Sequence, residues 1–203
     1  GDELFSPVGM PYDTLQGIIG IREEKEGNAV KNANTKALDK LIKEFPNSKL
    51  IASGEAVGLP KGQMGNSEVG HITIGSGRIV NQPLQKINKA LEDGSFFNNE
   101  QIINAINHAK EKNSKLHILG LLSDGGVHSH INHIFALINM AKEHGIKDLY
   151  IHVFLDGRDV TYNSAKIYLD KLKEYLKDQI GKIATISGRY YAMDREKMWD
   201  KTK

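Results

Sequence analysis

The 203-residue sequence contains no cysteine. That excludes disulfide bridges and thiolate metal sites, and it fits an enzyme of the cytoplasm. No apolar run approaches the roughly 20 residues that a membrane-spanning helix needs. The first residues lack the basic-then-apolar pattern of a secretion signal. Neither sign of charge dominates: 27 Lys and Arg face 25 Asp and Glu, for a formal net charge of +2. Nothing in that balance draws the chain to nucleic acid or a membrane surface, so neither is expected as a partner. Internal repeats and low-complexity segments are also missing. What the chain does have is 39% hydrophobic residues in recurring runs, enough for a packed core. Its length suits one large or two small domains.

Residues 1–20 carry two prolines and four glycines without a clear period, and read as loop. "NTKALDKLIKEFP" predicts a helix. Ala37, Leu38, Leu41, Ile42 and Phe45 share one face, Asn34 or Thr35 can cap it, and Pro46 stops it. Residues 49–53 read as a short strand. A glycine-rich loop follows, "GLPKGQMGNSEVGH", then "HITIGSGRIV". From Gln82 onward the pattern changes. Helical periodicity in 82–94 and 99–112 precedes a strand over 115–122. A helix over 131–145, a strand over 148–155, a helix over 163–178 and a strand over 182–187 follow. Alternation of this kind predicts parallel strands joined by helical crossovers, hence an α/β fold. The predicted boundary lies between residues 81 and 82, and residues 1–81 are too sparse in elements for an independent core. The third strand lacks a following helix, which suggests that the natural chain continues.

Open parallel sheets bind ligands at the carboxyl ends of their strands. "SDGGVHSH" (123–130), "DGRDV" (156–160) and "SGRYYAMDR" (187–195) follow the three strands. His128, Arg158, Asp159, Arg189 and Arg195 are therefore expected to converge. Arginine presents a planar fork suited to phosphate or carboxylate oxygens, and Asp159 can accept a substrate hydroxyl. A small phosphorylated hydroxy acid would use them all. The alternative is a set of solvated loop charges paired among themselves.

The histidines of "HSHINH" are spaced so that His130 and His133 can share a helix face, but a metal would need further ligands nearby. His128 is better placed as a phosphate ligand. His117 and His152 fall within strands and are expected to be packing residues. The loop around Ser67 is no P-loop, because Gly-Lys-Ser/Thr is absent. "GSGRIV" lacks the third glycine of a dinucleotide fingerprint, and Ser67 lacks the Gly-x-Ser-x-Gly elbow of hydrolases. A serine bound to a divalent metal becomes a nucleophile, whereas a serine in an Asn-Ser pair commonly just caps a turn.

"LPKGQMGNSEVGH", "SDGGVHSH", "FLDGRDV" and "GRYYAMDR", in that order, closely resemble the cofactor-independent phosphoglycerate mutase family, as does "REEKEGNAV" near the start. The resemblance runs from about Gly20 to Lys203. It implies an alkaline-phosphatase-like α/β phosphatase domain, partial here over residues 1–81. It also implies an inserted α/β phosphotransferase domain, over residues 82–203. It implies that Ser67 is both metal ligand and nucleophile, carrying the phosphoryl group between 3-phosphoglycerate and 2-phosphoglycerate. It places His128, Arg158, Asp159, Arg189 and Arg195 around the substrate. Two Mn²⁺ ions and a monomeric enzyme of glycolysis and gluconeogenesis are implied as well.

Two departures stand against the family pattern. The family's first strand ends in a metal-binding Asp; here Gly17 occupies the aligned place, and the nearest carboxylate is Asp13. The family's later Asp and His metal ligands, with further arginines and a lysine, lie beyond Lys203. The competing expectation is accordingly an inactive fragment or degenerate homologue that only binds phosphorylated acids. A metal-dependent phosphatase or phosphopentomutase relative fits the motifs less well.

Overall fold

The computed structural model describes residues 3–4, 32–47, 50–193 and 196–201. They fall into two compact units, Gly1–Lys86 and Ile87–Lys203.

In the first unit, strand β1 (Glu3–Leu4) pairs antiparallel with β2 (Leu50–Ile51). The strand expected over 49–53 is thus shorter, and two residues of the expected N-terminal loop join it. Helix α1 runs over Lys36–Glu44, with Phe45 as its C-cap ahead of Pro46. Thr35 precedes it without capping through its side chain; its hydroxyl bonds Asp39 Oδ1 at 3.1 Å instead. A second helix, α2 (Ser67–Ser76), takes up most of the segment after the glycine-rich loop. Its sequence, "SEVGHITIGS", hides it, because two glycines and the run Ile72, Thr73, Ile74 are weak helix formers. Both ends are nevertheless well defined. Asn66 Oδ1 accepts from the Val69 amide at 3.1 Å, and Gly77 closes the helix in the left-handed conformation.

The second unit begins within helix α3 (Pro83–Glu92) and continues with α4 (Glu100–Glu111). Asn99 caps α4 by accepting from the Gln101 and Ile102 amides. Strand β3 (Leu116–Leu122), helix α5 (Ile131–Glu143), strand β4 (Leu149–Leu155), helix α6 (Ala165–Leu176) and strand β5 (Lys182–Gly188) follow. A four-residue helix, α7 (Arg189–Ala192), opens directly after β5. The three strands form one parallel sheet in the order β3-β4-β5, as the alternation predicts.

Alternate strand residues face the core. Ile118 and Leu122 of β3 and Ile151 and Val153 of β4 pack with Ile131, Ile134 and Ile138 of α5 and Tyr168 and Leu172 of α6. Leu122, Ile138 and Leu172 are fully buried. The other face carries Leu119, which is more than half exposed. His117 and His152 lie there too, and the expectation that they are plain packing residues needs correction. His117 is exposed, and its Nδ1 lies 2.9 Å from His152 Nε2, whose other nitrogen lies 2.9 Å from Thr185 Oγ1. All three point from the same face, Thr185 beside His152 and His117 diagonal to it, so they bond each other across the sheet.

Candidate active site

The glycine-rich loop is a folded structure that presents Ser67. A short 3₁₀ turn over Gly54–Val57 starts it, and the Gly54 amide bonds Gln63 O at 2.8 Å. Val57 and Leu59 are buried with Val69 of α2, which ties the loop to the helix it leads into. Gly58 has φ +80°, and a Cβ there would sit 2.1 Å from Val80 O, so no other residue fits. Ser67 is exposed at the first position of α2. The cap is Asn66, so the reading of Ser67 as a mere turn cap does not hold.

His71 stands one turn further along α2. Its Nδ1 lies 2.7 Å from Ser67 O and 3.2 Å from Ser67 Oγ. A carbonyl only accepts, so Nδ1 carries the proton and donates. His71 therefore cannot take the Ser67 proton through this nitrogen, and the sequence offered no sign of the contact.

In the second unit the strand register brings three polar residues together. Leu122 pairs with Leu155, and Leu155 with Gly188. The next residue of each strand, Ser123, Asp156 and Arg189, therefore meets the others across the carboxyl edge. Ser123 Oγ donates to Asp156 Oδ2 at 2.7 Å, and Arg189 Nη1 donates to Asp156 Oδ1 at 2.9 Å. A register shift between Ile151 and His152 advances β5 by one residue. Continuing the register seen before the shift would bring Gly188, not Arg189, opposite Asp156, and turn the following side chains to the other face.

Asp159 Oδ2 accepts from the same Arg189 nitrogen at 2.7 Å, and His128 Nε2 stands 3.8 Å from that oxygen. His128 is half exposed, whereas Arg189 and Asp159 are nearly buried, with 12% and 11% of their side chains accessible. Arg158 is exposed and lines, with Arg189, Tyr190, Glu196 and Lys201, a cleft of about 690 Å³. Lys201 Nζ lies 4.2 Å from the Tyr190 ring centre and 3.7 Å from Glu196. The structure thus gathers His128, Arg158, Asp159 and Arg189 at one edge, as expected from the strand ends. Arg195 lies outside the described residues. The expectation that the loop charges either bind ligand or pair among themselves resolves unevenly: Arg189 is paired twice, and Arg158 faces the cleft.

Sequence reasoning passed over Ser123, Asp156, Tyr190, Glu196 and Lys201. Asp156 was the most visible of these, standing first in "DGRD". Its carboxyl sits well below the usual carboxylate range. Burial alone would raise it, but bonds from Ser123, the Arg158 and Asp159 amides and Arg189 outweigh that. Asp124, beside Ser123, belongs to a different network: it accepts from the Tyr168 hydroxyl and pairs with Lys171 at 3.7 Å. That bond, reinforced by burial, pushes the Tyr168 phenol up to about 12.

Gly125 lies where the β3 loop passes closest to Asp159. A Cβ there would come within 2.8 Å of Asp159 Cβ and 3.0 Å of its carbonyl oxygen. Gly125→Ala is expected to cost about 1–3 kcal/mol of stability through overpacking. Thermal unfolding checks this; an unchanged midpoint would show that the loop yields freely.

His130 and His133 have structural tasks. His130 Nδ1 caps α5 by accepting from the Asn132 amide, and His133 Nε2 donates to Asn88 Oδ1 at 2.7 Å. Burial pushes both imidazoles below their ordinary value, His130 against the opposing pull of Asp124. Among the described residues, no group of three or more His, Asp or Glu side chains is placed to hold a metal ion. Ser67 with His71 beside it offers too few hard donors for a divalent-ion site. The described residues therefore do not fit a complete metal centre. Asp13 and Gly17, on which one departure from the family pattern rests, lie outside the described residues.

Comparison with known proteins gives the family of the chain. Residues 87–203, more than half of the chain, match the family described as BPG-independent PGAM N-terminus. The 2,3-bisphosphoglycerate-independent phosphoglycerate mutase of Clostridium tetani is 55% identical over 186 residues, covering 91% of this chain and 36% of the relative. The enzyme of the same name from Staphylococcus saprophyticus is 55% identical over 181 residues, covering 89% of this chain and 36% of the relative. A crystal structure of Leishmania mexicana phosphoglycerate mutase at low cobalt concentration superposes with a TM-score of 0.68 at 35% identity. It covers 86% of this chain and 33% of that one. The chain spans about a third of the length of the relatives it matches. With the motifs, the parallel sheet and the family match all in agreement, this chain belongs to the cofactor-independent phosphoglycerate mutases.

Proposed function

We propose that this chain is part of a phosphoglycerate mutase that interconverts 3-phosphoglycerate and 2-phosphoglycerate through a phosphoserine at Ser67. The observation that carries the reading is the strand-end edge, where Arg189 bonds Asp159 with His128 beside it and where Arg158 and Arg189 line a cleft, in a chain whose relatives bear that enzyme's name. Residues 1–81 are part of the phosphatase domain, and residues 82–203 belong to the phosphotransferase domain.

Ser67 Oγ attacks the phosphorus of 3-phosphoglycerate. The bond to the C3 oxygen breaks, and that oxygen takes up a proton in place of the one that Ser67 gives up. The glycerate turns while bound, and its C2 hydroxyl then attacks the phosphoserine; the bond to Ser67 Oγ breaks, and Oγ regains a proton as the C2 hydroxyl loses its own. Ser67 suits the charged intermediate because it opens α2, where unpaired amides and the helix dipole favour an anion. Arg158, Arg189 and Arg195 hold the anionic groups of the glycerate, His128 contributes to them, and Asp159 accepts a glycerate hydroxyl. The divalent metal, manganese by family resemblance, needs ligands beyond Ser67 that the described residues do not supply. A monomer acting in cytoplasmic glycolysis completes the reading; no described helix is long and apolar enough to cross a membrane.

Calorimetric titration of this chain with 3-phosphoglycerate tests the cleft. Arg158→Ala is expected to weaken binding by roughly 1.5–3 kcal/mol, the range of a charge-assisted hydrogen bond. Affinity equal to the parent's would remove Arg158 from the substrate site.

A further inference from the structure

Asp156 touches none of the groups assigned to substrate recognition except Arg189 and its own turn, yet it is the best-satisfied side chain of the site. Only 1% of it is accessible. Its Oδ1 accepts from the Gly157, Arg158 and Asp159 amides at 2.8, 3.0 and 3.1 Å, and from Arg189 Nη1 at 2.9 Å. Its Oδ2 accepts from Ser123 Oγ at 2.7 Å. Five donors converge on one carboxylate, and they come from all three strand ends.

We infer that Asp156 is the positioning residue of the substrate cleft, and that one buried carboxylate sets Arg189 and the Arg158–Asp159 turn in a single arrangement. The inference rests on the reading of that cleft as the phosphoglycerate site. The three amide bonds fix the turn, and the turn fixes where Arg158 leaves the backbone and where Asp159 points. The Arg189 bond then docks β5 against that turn. Both carboxylate bonds to Arg189 run through Nη1, and among the described residues Nε and Nη2 form no bond. That edge of the guanidinium is left to present two parallel donors to an anion. The Ser123 bond anchors the second oxygen, which stops the carboxylate from rotating away from Arg189. A carboxylate with fewer donors would be costly to bury; this one is fully committed, which is how a rigid support behaves. The β5 register shift points the same way, because only the shifted register brings Arg189 opposite Asp156.

The test is a double-mutant cycle on the 203-residue chain, read as the dissociation constant for 3-phosphoglycerate at neutral pH. Asp156→Asn keeps the shape and removes the charge. It is expected to weaken binding by about 10–100-fold, the range for loss of a group that orients a ligand-binding side chain. Arg189→Lys keeps the charge and removes the fork. If Asp156 acts through Arg189, the double variant binds only slightly worse than Arg189→Lys alone. A merely structural role would give losses that multiply, and multiplying losses overturn the inference. Near-UV circular dichroism reports whether Asp156→Asn folds. If it does not, Ser123→Ala, which removes one donor and keeps the charge, replaces it in the same cycle with the same expected coupling. Parent binding that neither Asp156→Asn nor Ser123→Ala alters overturns the inference and leaves the cleft assignment standing. A parent chain that does not bind 3-phosphoglycerate overturns both.

Discussion

Ser67→Ala in the complete mutase is expected to abolish interconversion, with a loss on the order of 10⁴-fold or more, as when other enzymes lose their nucleophile. The expectation is strong because the substitution is structurally mild. Asn66 supplies the cap of α2, Val69 supplies its buried contact, and Ser67 itself is exposed. Alanine at that position leaves both in place and is a good helix former. A loss of rate would then report chemistry and not folding, and circular dichroism of the variant checks this. A coupled assay for 2-phosphoglycerate formed from 3-phosphoglycerate measures the rate, and phosphate incorporated into the protein gives a second readout. Substantial turnover in the variant would remove Ser67 as the nucleophile. A parent that binds 3-phosphoglycerate but shows no turnover would favour a homologue that binds phosphorylated acids only.

Arg189→Ala is expected to destabilise the second unit by about 3–5 kcal/mol, the usual cost of breaking a buried ion pair by removing one partner. Asp156 and Asp159 would be left near each other with no cation between them. The deficit depends on pH, and its sign follows from Asp156. Its folded-state pKa is depressed below the unfolded value of about 3.9, so it contributes stability above that pH and loses it as pH falls through the folded value. Without Arg189 the folded value rises, and the variant recovers relative stability on acidification, because a protonated Asp156 needs no cation. Denaturant unfolding at pH 7 and pH 3 should therefore show a large gap between parent and variant at pH 7 and a smaller one at pH 3. Equal gaps would mean that Arg189 stabilises through packing of its stem and not through the carboxylates.

The second unit was legible because its elements are long and strongly periodic. Strands of seven residues and helices of twelve or thirteen impose clear patterns, and their alternation implies parallel crossovers. The first unit was less so. α2 contradicts its own propensities, with Gly70, Gly75 and a β-branched run inside it, and forms because Asn66 caps it and Val69 packs under the loop. The exposed row of His117, His152 and Thr185 was misread for a different reason. An amphipathic strand shows which residues alternate, but not which face has a neighbour.

The site divides along the same line. The order of motifs and the rule that ligands meet the strand ends pointed to Ser67, His128, Arg158, Asp159, Arg189 and Arg195 as candidates, since both can be applied to the linear chain. Which of these charges would face ligand and which would face each other could not be read there. That depends on register, and register depends on how α5 and α6 pack the strands side by side and on a shift between Ile151 and His152. One residue of slip would exchange Arg189 for Gly188 beside Asp156. Residue types and spacing determined the chemistry available to this protein. The tertiary structure decided that Arg189 is tied to two carboxylates through one nitrogen while Arg158 stays exposed at the cleft, because a charge is paired according to what folding places within about 3 Å of it.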